Sequence, residues 1–176
     1  DAIDLSKYFN CLVYAFECNP DGIKLCKENL INYDRVKLIE LAVSDQNGEI
    51  IFRPFDVNRY NNIGASSIFK IDFSNRPEYD PDFQRGEVQN EIKVTSTTLD
   101  NFIFKNKINK VDLLCIDLQG AEYLALKGCE QNLKNVKYII VESSIKSTYK
   151  GGSNFFEVEE YLKKFNFNYV FSNKFA

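Results

Sequence analysis

The sequence predicts an α/β fold, a doubly wound and mostly parallel sheet flanked by helices. Short apolar runs of strand length alternate with amphipathic stretches of helix length. Several of those runs are continuously apolar, the pattern of strands covered on both faces. Three of them stop on an acid, Glu17, Asp117 and Glu142, at the carboxyl ends where open α/β sheets bind ligands. One stretch organises the rest. Residues 111–128 read Val-Asp-Leu-Leu-Cys-Ile-Asp-Leu-Gln-Gly-Ala-Glu-Tyr-Leu-Ala-Leu-Lys-Gly. Residues 113–116 form a buried strand that halts at Asp117, and Gly120 supplies a turn. Good helix formers fill 121–127, and Gly128 suits the left-handed position after a helix end.

The other elements follow in order. Residues 2–9 read as the end of a helix with Ile3, Leu5, Tyr8 and Phe9 on its apolar face. Residues 12–16 are an apolar strand ending at Glu17. Asn19-Pro20-Asp21 is a helix start, with a capping Asn, Pro at the first helical position and an acid in the first turn. Ile23, Cys26 and Leu30 then recur at helical spacing to about residue 31. Residues 36–43 form the next strand, and Gln46-Asn47-Gly48 turns it into a hairpin with 49–55. From 56 to 90 periodicity dissolves; a stretch this long is a lid or substrate loop, crossed by a short strand at 68–71. Residues 91–97 alternate like a half-buried strand, and Thr98-Leu99-Asp100 opens a helix. Residues 136–141 are a second buried strand ending in an acid. Asn154 and Glu157 have capping-box spacing ahead of a helix over 155–165, with Phe155, Val158, Tyr161, Leu162 and Phe165 inward. Residues 167–171 are a last strand.

A chain of 176 residues is one domain able to bury a substantial core. Its net charge of −3 argues against a nucleic-acid partner, which needs a basic face. No apolar run approaches the roughly 20 residues that cross a bilayer. The five cysteines are odd in number and lack metal-site spacing, which implies reduced thiols and a cytoplasmic location; Cys115 is expected inside its strand. The absence of histidine excludes Ser-His-Asp and Cys-His machinery and every imidazole metal site.

Parallel strands would gather Glu17, Asp117 and Glu142 on one edge, an arrangement that costs stability unless a ligand compensates. An acid at the position of Glu17 matches the carboxylate that accepts both ribose hydroxyls of a nucleotide; the competing reading is a charge favouring the next helix dipole. Asp117 orients or deprotonates a substrate, or merely caps its turn. Tyr123 and Lys127 have the Tyr-x-x-x-Lys spacing of short-chain dehydrogenases, so an NAD ribose is an alternative partner for Glu17, although no Gly-x-Gly-x-x-Gly accompanies it. A non-catalytic, degenerate domain is the third reading.

Residues 13–20 (Val-Tyr-Ala-Phe-Glu-Cys-Asn-Pro), 41–45 (Leu-Ala-Val-Ser-Asp) followed by Gly48, 64–67 (Gly-Ala-Ser-Ser), 98–100 (Thr-Leu-Asp) and 116–122 (Ile-Asp-Leu-Gln-Gly-Ala-Glu) together resemble the successive motifs of the FkbM family. These are S-adenosylmethionine-dependent methyltransferases acting on hydroxyls of sugars or polyketide-type molecules. The resemblance implies a Rossmann-like, class I methyltransferase sheet. It places Glu17 on the cofactor ribose, with Cys18 and Asn19 beside it and Ala42, Val43 and Ser44 against the adenine. Asp117 falls near the transferred methyl, with Glu122 shaping the same turn. Glu142 joins these two as a catalytic candidate, and Asn62, Ser66 and Ser67 are candidates to meet a small-molecule or glycan acceptor. A Mg²⁺ ion held by Asp117 and Glu142 is the metal-dependent version. Cys18 stands where the family usually has Pro. The family's glycine-rich first strand and loop have no counterpart before Ala2, nor its last strand after Phe171, so the resemblance implies a domain trimmed at both ends.

Overall fold

A computed structural model describes residues 2–58, 62–72 and 88–172. It is a mixed α/β structure whose strands fall into three small sheets. After α1 (Ala2–Phe9) comes β1 (Val13–Phe16), then α2 (Pro20–Leu30) and β2 (Val36–Ile39). β1 and β2 pair in parallel, Val13 opposite Val36 through Phe16 opposite Ile39. Parallel pairing requires a crossover, and α2 provides it.

The second sheet contains β3 (Ala42–Val43), β4 (Gly48–Phe52) and β5 (Ile92–Thr97). The expected hairpin does not form. β5 lies between the other two, parallel to β3 and antiparallel to β4. Side chains latch the 46–48 turn to β5 and to the helix start beyond it. Ser96 Oγ donates to the Gln46 carbonyl at 2.9 Å, and Asn47 Oδ1 accepts from the Thr98 amide and from Asn101 Nδ2. The expected strand over 36–43 is likewise broken, because its first half pairs with β1 and its last two residues with β5.

The third sheet pairs β6 (Val111–Ile116) in parallel with β7 (Val136–Val141), in register from Val111 opposite Val136 to Ile116 opposite Val141. Between β5 and β6 runs α3 (Leu99–Lys105). Between β6 and β7 lies α4 (Glu122–Lys127), and α5 (Phe155–Lys163) follows β7. The core gathers Val43, Leu99, Ile103, Ile116, Leu126, Cys129, Leu133, Val136, Val158 and Tyr161, with Phe16 packed against it. Phe102 on α3 meets Tyr14 and Phe16 edge-on at 5.2 and 4.8 Å. These rings join the β1–β2 pair to the body of the molecule.

Four further expectations are corrected. β6 and β7 are not covered on both faces: Cys115 is exposed, and Tyr138 and Ile140 are each 60% exposed. The face carrying Leu114, Ile116, Ile139 and Val141 meets the core, as do Val111 and Val136 at the strand starts. Residues 68–71 make no strand; Ser67 and Ile71 form single antiparallel bridges to Arg53 and Tyr149. Residues 167–171 form no strand either, and Val170 and Phe171 are exposed, since an apolar run without a neighbouring edge has nothing to pair with. On α1, Tyr8 and Phe9 point to solvent while Ser6 is buried. Of the expected lid, residues 59–61 and 73–87 lie outside the described residues. Among the described residues no helix is long and apolar enough to cross a membrane, and all five cysteines are free thiols.

Candidate active site

The turn after β6 is built by a buried acid. Glu122, 2% exposed, accepts from the Leu118 and Gly120 amides, each at 3.0 Å, and from Ser153 Oγ at 3.3 Å. Burial raises its pKa, opposed by those same hydrogen bonds. Its oxygens are thus committed to shaping the turn rather than to solvent chemistry. Gly120 takes φ +97° and Gln119 φ +53°. The bare Gly120 admits the Tyr149 side chain, which would lie 3.2 Å from any added Cβ.

This turn sets Asp117 beside Glu142. The Glu142 amide donates to the Ile116 carbonyl at 2.9 Å, carrying the β6–β7 ladder one step past the strands, so the two acids face each other across the sheet end. A hydrogen bond with the Asp117 carboxyl, then burial, then repulsion from Asp117 and Glu122 lift Glu142 from the ordinary carboxylate range to about 7. Both side chains reach solvent, and the leading cause is the carboxyl–carboxyl contact rather than burial. Gln119 Nε2 donates to Asp117 Oδ1 at 2.7 Å. Among the described residues no group of three or more acids or cysteines could hold a metal.

At the end of β1, Glu17 curls over its own turn. Its Oε1 accepts from the Cys18 and Asn19 amides at 2.8 and 2.7 Å, while Oε2 lies 2.6 Å from where a side chain on Gly22 would begin. Glu17 therefore already serves the start of α2, the competing role weighed for it from sequence, and rests on backbone that glycine alone leaves bare. Asn19, 3% exposed, caps α2 by accepting from the Asp21 amide. Burial, reinforced by Glu17, pushes the Cys18 thiol up to about 12, so it is a neutral neighbour and not a nucleophile.

One short segment ties the two turns together. Ser66 Oγ accepts from Asn19 Nδ2 at 3.5 Å and from the Phe55 amide. The next residue, Ser67, donates to the Gln119 carbonyl at 2.7 Å. Adjacent residues are about 3.8 Å apart at Cα, so one dipeptide bridges the turns that follow β1 and β6 and gives them a shared rim there. Tyr149 Oη reaches across as well, 2.7 Å from the Ala65 carbonyl and 3.0 Å from Gln119 Oε1. Below this strap lies a cavity of about 180 Å³, lined by Asn62, Gln119, Glu142, Ser144, Ser147 and Tyr149 among others.

The sequence-predicted residues thus divide. Glu17, Cys18, Asn19, Asp117 and Glu142 belong to the rim, and Asn62 lines the cavity. Ser66 and Ser67 have hydroxyls engaged within the protein, which makes them strap rather than open donors. Ala42, Val43 and Ser44 are buried, with the Ser44 carbonyl against Gly128 at the end of α4. Gln119 and Tyr149 were not singled out from the sequence; their signal was proximity to the Asp117 turn and nothing periodic. Tyr123 stacks edge-on with Tyr161 at 5.0 Å and Lys127 is paired with Asp45 at 3.1 Å. Neither lines the cavity beside Glu142.

The family model for the methyltransferase FkbM domain matches residues 6–169, and the chain belongs to that family. It is 29% identical over 141 residues to the 2-O-methyltransferase NoeI of Sinorhizobium fredii (strain NBRC 101917 / NGR234). The match covers 79% of this chain and 56% of that protein, so the chain spans about half the length of the relative. No solved structure matches.

Proposed function

We propose that this FkbM-family chain is the working domain of an S-adenosylmethionine-dependent O-methyltransferase, acting on a hydroxyl of a sugar or related small molecule or glycan. The observation that carries the reading is the reach of one dipeptide, Ser66 on the Glu17–Asn19 turn and Ser67 on the Asp117–Gly120 turn. In the same reading β1–β2 and β6–β7 are arms of one doubly wound, Rossmann-like sheet whose carboxyl ends form the shared rim.

Glu17 would hold the donor ribose, because a carboxylate offers two oxygens to two adjacent hydroxyls. Cys18 and Asn19 border it, and Ala42, Val43 and Ser44 support the site from within the fold. Bound S-adenosylmethionine supplies a methyl group already activated on a sulfonium, which leaves alignment and proton removal to the protein. Glu142 takes the acceptor proton, since a group titrating near the operating pH is the most effective general base. Asp117 lies alongside and orients the same hydroxyl. Asn62 with the hydroxyls of Ser144, Ser147 and Tyr149 gives the cavity a lining that matches a polyhydroxylated acceptor. The name of the relative, a 2-O-methyltransferase, supports oxygen as the receiving atom.

Calorimetric titration with S-adenosylhomocysteine and, separately, NADH tests the reading. Binding of the former alone is the expected result. Binding of NADH without S-adenosylhomocysteine overturns it.

A further inference from the structure

Gln119 makes three polar contacts with three different parts of the rim. Its side-chain amide donates to Asp117 Oδ1 at 2.7 Å. Its side-chain oxygen lies 3.0 Å from Tyr149 Oη. Its main-chain carbonyl receives the Ser67 hydroxyl at 2.7 Å. It holds these contacts at φ +53°, a left-handed conformation that a residue with a Cβ seldom adopts without compensation. A turn shaped only by chain reversal would place glycine or asparagine there. A long amide at this φ is expected where its two ends each have a partner to reach.

We propose that Gln119 is a positioning residue, whose side chain holds Asp117 beside Glu142 and ties that carboxyl pair through Tyr149 to the 62–67 segment, which its main-chain carbonyl also anchors through Ser67. The inference rests on the methyltransferase reading for its consequence but not for its geometry. The acids acting on Glu142 are Asp117 from the end of β6 and Glu122 from α4; Tyr149 comes from the loop after β7. Glu122 is occupied by the turn amides, so Gln119 is the neutral group able to bias how Asp117 and Glu142 divide their proton. Donation from the amide fixes Asp117 Oδ1 as an acceptor and so sets the orientation in which the Asp117 carboxyl meets Glu142.

The experiment follows the side-chain carboxyl ¹³C shift of Glu142 against pH in the ligand-free protein, in Gln119→Glu, Gln119→Asn and Tyr149→Phe. Asparagine tolerates the left-handed backbone but is one carbon too short to span Asp117 and Tyr149. In Gln119→Glu a third carboxyl replaces the donor, and the Glu142 midpoint should rise by about one pH unit or more. Gln119→Asn and Tyr149→Phe should move it by less. Midpoints unchanged in Gln119→Glu overturn the inference, whatever the melting temperatures do. In methyl transfer to methyl hexopyranosides, Gln119→Asn should lower kcat at least tenfold and leave S-adenosylhomocysteine affinity within twofold; an unchanged kcat also overturns it. The titration needs no methyl donor. A shifted midpoint in Gln119→Glu, with a wild-type protein that binds no S-adenosylhomocysteine, would uphold Gln119 and sink the methyltransferase reading.

Discussion

Gly22→Ala separates donor binding from folding, because the space it would fill is occupied by Glu17. A Cβ at residue 22 would lie 2.6 Å from Glu17 Oε2, 2.7 Å from its Cδ and 3.1 Å from its Cγ. Every clash is with one flexible side chain, so the carboxylate swings away and the backbone stays. Eviction breaks the bonds from the Cys18 and Asn19 amides to Oε1, which costs roughly 1.5–3 kcal/mol for a charged acceptor. Alanine in place of glycine within α2 returns about 0.5–1 kcal/mol, so the melting temperature should fall only modestly. The donor, by contrast, loses its ribose acceptor. About 1.5–3 kcal/mol of hydrogen bonding to a charged group corresponds to roughly 10- to 150-fold in Kd. Calorimetry with S-adenosylhomocysteine reads that loss directly, and Glu17→Gln should weaken binding without any steric insertion. Wild-type affinity in Gly22→Ala, with the protein folded, would refute Glu17 as the ribose ligand, since its carboxylate cannot stay where it now lies.

Gly128→Ala should behave in the opposite way. Its Cβ would meet the Ser44 carbonyl oxygen at 2.2 Å, and main chain cannot step aside. A loss of about 2 kcal/mol corresponds to a melting temperature lower by roughly 4–8 °C, and a melt within 1 °C of wild type would contradict the packing described. Glu142 is raised to about 7 in the folded state by Asp117, burial and Glu122. The folded protein therefore binds more protons than the unfolded one between about pH 4.5 and 7, and stability from this group is lost as pH rises through that window. Glu142→Gln does not titrate, so its melting temperature relative to wild type should improve steadily from pH 4.5 to pH 8; a flat difference would count against the carboxyl pair. Asp117→Asn should abolish methyl transfer while S-adenosylhomocysteine still binds, and near-normal turnover would remove Asp117 from the mechanism. Turnover should persist in chelator, because among the described residues no group of three or more acids or cysteines could hold a metal; its collapse, restored by Mg²⁺, would restore the metal-dependent alternative.

What could be read from the sequence was whatever depends on neighbours along the chain. Asn19-Pro20 and Thr98 open α2 and α3 as capping chemistry requires, with Asn19 accepting from the Asp21 amide and Thr98 from Asn101. Asn154 and Glu157 form a reciprocal capping box on α5. The acids Glu17, Asp117 and Glu142 stand at strand ends for the same reason, since a hydrophobic run stops where its side chains stop being apolar. Strand order is a different kind of fact. Gln46-Asn47-Gly48 has hairpin chemistry, yet Ala42 and Gly48 both pair with Ser96, because a strand more than 40 residues further on supplies the better-anchored partner. Gly128 shows the same limit at a single residue. Its position after a helix suggested a left-handed φ, whereas its φ is −68° and its need for glycine comes from Ser44, just past β3. Gln119 and Tyr149 were hidden for a related reason: their value lies in what two loops bring together, and loops carry no period. The acids that could do chemistry were thus visible one at a time, while the residues that touch and hold them became visible only in three dimensions.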